Sequence, residues 1–599
     1  MPDPDRIQLV LLETGSNQRY LFETNKLAEA VGASELIRRS TVDWVFDWLG
    51  GQGLGSEDAR IERDRVEVVL ASSGKTMLLV RDPDVAREVV FAVTARALAE
   101  APGLRLYGAA SDPFDWSRPG ALHGAIRQAH HELSLARARV PGPELRFLRL
   151  PPVAECQSSG LPAAHRSRVR SEEAARSHQS LAKLSACDEG WEKMVERLEG
   201  ARRERGARQR SGRREDEVVE SLEGAGRAPG LETVRLARHL GEVESTFLRE
   251  DVKWSAVLYA DGNGLGRIFF DFEEALAHDR AHDPQDNRHY VDRLRDTSEA
   301  IDYCARIAVV DAIDDTWPST RRSDASEPGN GAGPVATDHW PALRPIPVVP
   351  LVLGGDDLSV VCHGQRAVHF AKQIALRFCE ATRGDERLRP VAPRGLGMAA
   401  GVAVTKPHHP FSSGHLLAGQ LLRSAKLTKV KVVDGEGMAV PCASVDFHVL
   451  FDSAVADLDR LRRLHHGSVR LSGGPFVVDA ERPADVTDVT WWQAHQFAAL
   501  EEAVEALLEE DEEGRRLLPN TQVHELRQAL HVSREAGQRQ YDRLRSRYGA
   551  STRFTVGPLY FTDVPNGERA DVMTRVIDAM TLADLERADR NRSRDGGAP

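Results

Sequence analysis

Two apolar runs rich in β-branched residues, Val348-Val349-Pro350-Leu351-Val352-Leu353 and Leu358-Ser359-Val360-Val361, are separated only by Gly354-Gly355-Asp356-Asp357. Such runs around a short glycine-rich break predict a β-hairpin. Glycine reaches positive φ and carries no side chain, so the chain can turn sharply at Gly354 and Gly355 and let a ligand approach. Asp356 and Asp357 would then project from the tip, where carboxylates bind hard cations. The same four letters also read as plain turn chemistry, so their meaning depends on what surrounds them.

Upstream, Trp254 to Ala260 is an apolar strand that ends on Asp261 and runs into Gly262-Asn263-Gly264-Leu265-Gly266. An acid at a strand end faces a site. Tyr290 to Ile313 and Ala367 to Ala381 carry apolar residues at helical spacing, and Leu396 to Thr405 is a further strand. The order is β-α-β-β-α-β, the ferredoxin-like arrangement, whose antiparallel sheet sets strand one beside the hairpin and lets Asp261 and Asp356 converge on one edge. A last helix, Gly414 to Val430, contains Lys426. The N-terminal part repeats the order: a strand at Ile7 to Leu12, helix within Asn25 to Leu49, a hairpin at Val66 to Val80, a helix at Asp84 to Glu100 and a strand at Leu104 to Tyr107. Its turn holds Ser72-Ser73-Gly74-Lys75 and offers no carboxylate for a cation. Gly74-Lys75-Thr76 is no phosphate loop, because the earlier glycine of that motif falls on Val69.

Asp261-Gly262-Asn263 with Leu265-Gly266, then Gly-Gly-Asp-Asp between apolar strands, then Gly401-Val402-Ala403-Val404 before a helix with Ala425-Lys426, resembles the second palm domain of the large polymerase-like subunit of type III CRISPR effector complexes. More distantly it resembles GGDEF-type nucleotide cyclases. The resemblance spans roughly Val252 to Val433 and implies tandem palms, the first degenerate and the second active. It implies catalytic Asp261, Asp356 and Asp357, with two Mg2+ (or Mn2+) ions about 3.5–4 Å apart held by those acids and the Gly262 carbonyl. It places Lys426 on the phosphates, with Gly262, Asn263, Gly264, Gly266, Gly354 and Gly355 along the nucleotide. The implied activity joins nucleoside triphosphates, ATP by analogy, into a cyclic or linear oligonucleotide second messenger for antiviral defence. The implied partners are CRISPR effector subunits and guide or target RNA; a homodimer is compatible but not required. A nucleotide-binding scaffold that does not turn over, a GGDEF-like dinucleotide cyclase and a template-independent polymerase stand as alternatives.

The 599 residues suffice for about three to five domains. The expected division is 1–112, a degenerate palm; 113–245, a helical, charged linker; 246–440, the active palm; and 441–599, a mainly helical region whose Trp491 and Trp492 serve packing. The class is α+β. No apolar run reaches membrane-spanning length and the N-terminus is polar, so a cytoplasmic protein without membrane attachment is expected. A formal net charge of -12 opposes gross nonspecific nucleic-acid affinity.

Six cysteines are scattered without a Cys-x-x-Cys pair, as in a reducing compartment. Cys156 to Ala163 resembles the remains of a zinc finger inserted between the palms of the CRISPR relatives, but Ser159 holds the second ligand position. Cys187, His165 and His178 are candidates to complete it. Arg202, Arg203, Arg205, Arg208, Arg210, Arg213 and Arg214 read first as a solvated helix face and second as an RNA or partner contact. The pairs His278-Asp279 and His282-Asp283 suggest a polar surface segment before a nuclease site, and Thr316 to Pro345 reads as a loop.

Overall fold

The computed structural model describes residues 6–140 except 25, 56 and 57; 152–211 except 170 and 171; 254–276 except 271; 286–317; 346–451 except 408; 457–462; 469–479; 481–549; 552–563 except 556; and 571–595. The first sheet comes from β1 (Arg6–Gly15), α1 (Asn17–Phe22), α2 (Leu27–Thr41), α3 (Asp43–Gly51), β2 (Val66–Ser72), β3 (Lys75–Val80), α4 (Pro83–Glu100), β4 (Arg105–Ala110) and β5 (Phe114–Asp115). Its order is β2-β3-β1-β4, antiparallel, with β5 also on β1. Helix α5 (Ala121–Arg139), a small hairpin of β6 (His165–Val169) and β7 (Glu172–Arg176), and helices α6 (His178–Ser185) and α7 (Cys187–Ser211) follow. The hairpin interrupts the linker that the sequence predicts as helical.

The second sheet repeats the plan with β8 (Ser255–Asn263), α8 (Leu265–Phe270), α9 (Phe272–Leu276), α10 (Asn287–Thr316), β9 (Val348–Gly354), β10 (Asp357–His363), α11 (Ala367–Gly384), β11 (Gly397–Thr405), α12 (Phe411–Ala425), α13 (Thr428–Lys431) and β12 (Ala443–Val449). The strands β11-β8-β10-β9 reproduce the first sheet's β4-β1-β3-β2, each strand one lying between hairpin and last strand. Beyond β11 the sheet continues through β12, which is parallel, to a short strand at Phe476–Val477. The C-terminal part is not purely helical. Besides its helices, of which Phe497–Leu508, Asn520–Val532, Arg534–Tyr548 and Val576–Asp595 are the longest, it holds a three-stranded sheet. Trp491 and Trp492 are buried there.

Strand β11 shows why the second sheet is so apolar. All nine of its residues are buried, because helices cover both faces. Met398, Ala400, Val402 and Val404 enter one core with α10 and α11, and Ala399 and Ala403 enter another with Leu417, Ala418 and Leu421 of α12. Small residues let α12 approach very closely: a Cβ on Gly401 would stand 2.2 Å from the Leu422 nitrogen and 2.3 Å from the Ala418 oxygen. That approach delivers Lys426, the C-cap of α12, to the edge of the sheet. The second core also takes in Val10, Leu12, Leu36 and Ile37 of the first half, so the two sheets share packed side chains. Gly401→Ala is expected to push α12 off the sheet and to cost about 1–3 kcal/mol in chemical denaturation.

Candidate functional site

Ladder register builds the acidic edge. Leu358 of β10 pairs with Ala260 of β8 and Ser359 with Tyr259, which sets Asp357 across from Asp261. Side chains alternate along a strand, so Tyr259, Asp261 and Asp357 share one face. The turn between β9 and β10 takes Gly355 to φ 59°, the left-handed region, and brings Asp356 over the end of β8. Gly262 permits this. A Cβ there would stand 2.9 Å from the Asp356 Cβ and 3.1 Å from its Oδ2. Asn263 ends β8 against Gly397 of β11, and its Oδ1 is buried without a partner. Gly264 adopts φ 86° as the chain leaves the strand, and Gly266 lies in α8 with open space where a side chain would be.

Among the described residues, three carboxylates at this edge face the Lys426 ammonium, which ion-pairs with Asp261. Burial pushes the Asp356 carboxyl up to about 8, helped by the charge of Asp261 and a hydrogen bond with it, and by Asp357. Burial and the charge of Asp261 push Asp357 up to about 7, against the pull of the Tyr259 hydroxyl and Lys426. The Asp357 Oδ1 atom is buried without a hydrogen-bond partner. Burial, then the charge of Asp357, raises the Tyr259 phenol in turn. Burial and crowding of like charges thus act in the same direction on these groups.

The tip is braced from behind by residues that the sequence does not single out as part of a site. The Leu353 carbonyl accepts from Arg197 Nη1 at 2.6 Å. The same guanidinium meets Asp302 Oδ1 at 2.9 Å, the Gly355 N–H points to that oxygen at 3.4 Å, and Arg306 Nε donates to Asp302 Oδ2 at 2.8 Å. Asp302 and Arg306 sit one turn apart on α10, a spacing visible in the sequence as an ordinary helical ion pair. The turn of the first sheet abuts this tip, since a Cβ on Gly354 would meet Ser73 Cβ at 3.4 Å.

That first sheet has a register-equivalent acid. Glu13 pairs across from Lys75, as Asp261 stands across from Asp357. It meets Arg137 at 2.8 Å, and the Lys75 ammonium lies in its field while burial lowers that group. The absence of acids from the turn is legible in the sequence; Glu13 and its neutralisation by cations are not.

Other groups singled out in the sequence fall elsewhere. Cys156 gathers neither His165, His178 nor Cys187 into a three-ligand set among the described residues. Serines surround it instead. Its Sγ contacts Ser158 Oγ at 3.3 Å, Ser158 Oγ meets Ser180 Oγ at 3.2 Å, and Ser159 Oγ meets Ser177 Oγ at 3.2 Å. The pattern is Cys156-x-x-Ser159 and Ser177-x-x-Ser180, a two-knuckle arrangement whose positions after the first hold hydroxyls. Burial would raise the Cys156 thiol, but hydrogen bonds from Ser158 and Ser159 and from backbone N–H groups outweigh it and bring it to about 6. In the arginine run, where described, Arg202 pairs with Asp314 at 2.5 Å and Arg205 with Asp311, both acids on α10. Arg203 and Arg208 are exposed and Arg208 pairs with Glu204 of its own helix at 2.7 Å, so the solvated-face reading holds for part of the run. Arg213 and Arg214, the His278 to Asp283 pairs and residues 318–345 lie outside the described residues. Glu35, Asp43 and Glu189 bring carboxylate oxygens within 4.8 Å of one another, but Arg38, Arg39 and Lys193 already neutralise them. No helix among the described residues is long and apolar enough to cross a membrane.

No protein-family model matches the sequence, and no curated protein matches it. Among solved structures the chain is similar to chains of Csm1-Csm4 assemblies. With the apo Csm1-Csm4 cassette it shares 13% identity at a TM-score of 0.38, covering 69% of this chain and 52% of that one. With the cassette in complex with cA4 the identity is 13% and the TM-score 0.45, over 98% and 70% of the two chains. With the Csm1-Csm4 subcomplex of the type III-A CRISPR-Csm interference complex they are 14% and 0.37, over 70% and 53%. The chain thus spans about half the length of the first and third of these chains.

The sign of the pH effect at the edge follows from the raised carboxyls. A carboxyl that binds its proton more tightly folded than unfolded favours the fold at low pH and loses that contribution as pH rises from the unfolded value, about 4, toward the folded one. For Asp356 the window ends at about 8. The melting temperature of cation-free protein is therefore expected to fall across this window, and to fall less in Asp356→Asn.

Proposed function

We propose that the chain is a metal-dependent nucleotidyltransferase of the palm type. It joins nucleoside triphosphates, ATP by preference, into a cyclic or linear oligonucleotide, with the second sheet as the active palm and the first as a degenerate one. The observation that carries the reading is the convergence of Asp261, Asp356 and Asp357 on one sheet edge beside the Lys426 ammonium.

The residues fit a divalent cation. An orphaned buried oxygen on Asp357 and an Asp356 carboxyl that burial and the neighbouring Asp261 push upward both fit a hard cation. Asp261, Asp356, Asp357 and the Gly262 carbonyl would hold Mg2+ or Mn2+. Such ions lower the pKa of an attacking hydroxyl and neutralise the triphosphate. The chain itself contributes alignment, which is most of what phosphoryl transfer asks of a protein. Gly262 and Gly355 keep the floor of the edge free of side chains, Arg197 and Asp302 hold the tip, and Lys426 supplies a point charge toward the phosphates. We place the protein in the cytoplasm, in or beside a CRISPR-type effector assembly.

A second reading is favoured by one observation: Lys426 neutralises Asp261 much as Arg137 neutralises Glu13. On that reading the edge binds nucleotide as a scaffold and does not turn it over. Purified protein supplied with ATP and Mg2+ or Mn2+ separates the two. The transferase releases pyrophosphate and forms phosphodiester products whose masses distinguish rings from chains, and Asp356→Ala abolishes both. Undiminished product from Asp356→Ala would defeat the assignment of the edge, and nucleotide binding without pyrophosphate release would favour the scaffold.

A further inference from the structure

A side chain of α1, in the first half of the chain, reaches the strand that carries Asp261. Ser16 sits at φ 57°, a left-handed conformation uncommon for a residue with a Cβ, and turns the end of β1 directly into α1. This sends Gln18 across to β8, where its Nε2 donates to the Tyr259 hydroxyl. The Tyr259 ring is held edge-on by His415 at 5.5 Å, and His415 stacks on Phe22 of α1 at 3.5 Å, so the contact sits in a packed junction.

A phenol has one proton and an oxygen that accepts. Once an amide N–H engages that oxygen, the proton is left to point at the next acceptor. Asp357 is that acceptor, diagonal to Tyr259 across the β8–β10 ladder and hydrogen-bonded to it. Asp357 Oδ1 remains buried without a partner. One oxygen of the carboxylate is thereby tied down, and the other is held ready.

We propose that Gln18 is a positioning residue for the acidic edge: acting through the Tyr259 hydroxyl, it fixes the Asp357 carboxylate so that its second oxygen faces the divalent cation. The half of the chain with no acid in its own turn thus sets the geometry of the half that has them. The inference rests on the edge being a cation site.

Mn2+ binding to the full, cation-free chain tests it without recourse to turnover, by electron paramagnetic resonance or calorimetry. Partners that orient a metal ligand typically cost about 10–100-fold in affinity when removed, and Tyr259→Phe should weaken Mn2+ within that range. Gln18→Leu should weaken it in the same direction. Gln18→Glu should be worse than Gln18→Leu, because a carboxylate would accept the phenol proton and draw it off Asp357. The pair Gln18→Leu with Tyr259→Phe should be no weaker than Tyr259→Phe alone, since both act along one path. A merely structural role would instead lower the melting temperature of each variant, rank Gln18→Glu and Gln18→Leu alike and give additive losses. Wild-type Mn2+ affinity in Gln18→Leu, with binding lost in Asp356→Ala, overturns the relay and leaves the cation site standing. Wild-type affinity in Asp356→Ala overturns the cation site, and the relay with it.

Discussion

Repulsion among three carboxylates on one sheet edge is the constraint around which the second half of the chain is arranged. Carboxylates do not crowd of their own accord, and what forces them together here is backbone geometry. The β8–β10 register sets Asp357 across from Asp261, and the missing side chain of Gly262 admits Asp356. Burial, and after it the charge of Asp261, pushes the carboxyls of Asp356 and Asp357 upward. Much of the surrounding structure then reads as restraint: guanidinium and carboxylate groups grip the turn from behind, a helix pressed onto glycine delivers an ammonium, and a tyrosine ties one acid in place.

The first sheet shows how the same fold resolves the same problem without a cation. Its strand order is identical, and it retains an acid at the equivalent register position, Glu13. Lysine takes the place across the ladder and arginine closes on the acid from α5. Charge is balanced within the chain, so the first edge has no electrostatic need of a metal. One topology thus supports two opposite electrostatic states, distinguished by a few side chains.

The strands, helices and repeated order were legible because buried strands and amphipathic helices print their periodicity into the sequence. The tetrapeptide Gly354 to Asp357 announced its turn, and the strand ending at Asp261 announced its acid. What stayed hidden depends on contacts between segments far apart. Arg197 and Asp302 are common surface types until the hairpin tip is set between them. Gln18 and Tyr259 are separated by 241 positions. The arginine run was legible only in part, because alternating charges on a helix look alike whether they face water, as Arg203 and Arg208 do, or the acids of α10, as Arg202 and Arg205 do. The C-terminal strands are two or three residues long, too short for alternation to show.

The serine-ringed Cys156 bears on how the connecting segment is joined to the first half. Ser180 of this cluster donates to Glu29, a fully buried acid of α2, at 2.9 Å, and the neighbouring Lys183 donates to the Tyr20 carbonyl at 2.5 Å. Hydroxyl contacts therefore do here what a thiolate-bound ion would do in a zinc-stapled module. Through them α6 is tied to α1 and α2 by hydroxyl, carboxylate and ammonium groups, so the strength of that join follows the protonation of Glu29 and Lys183.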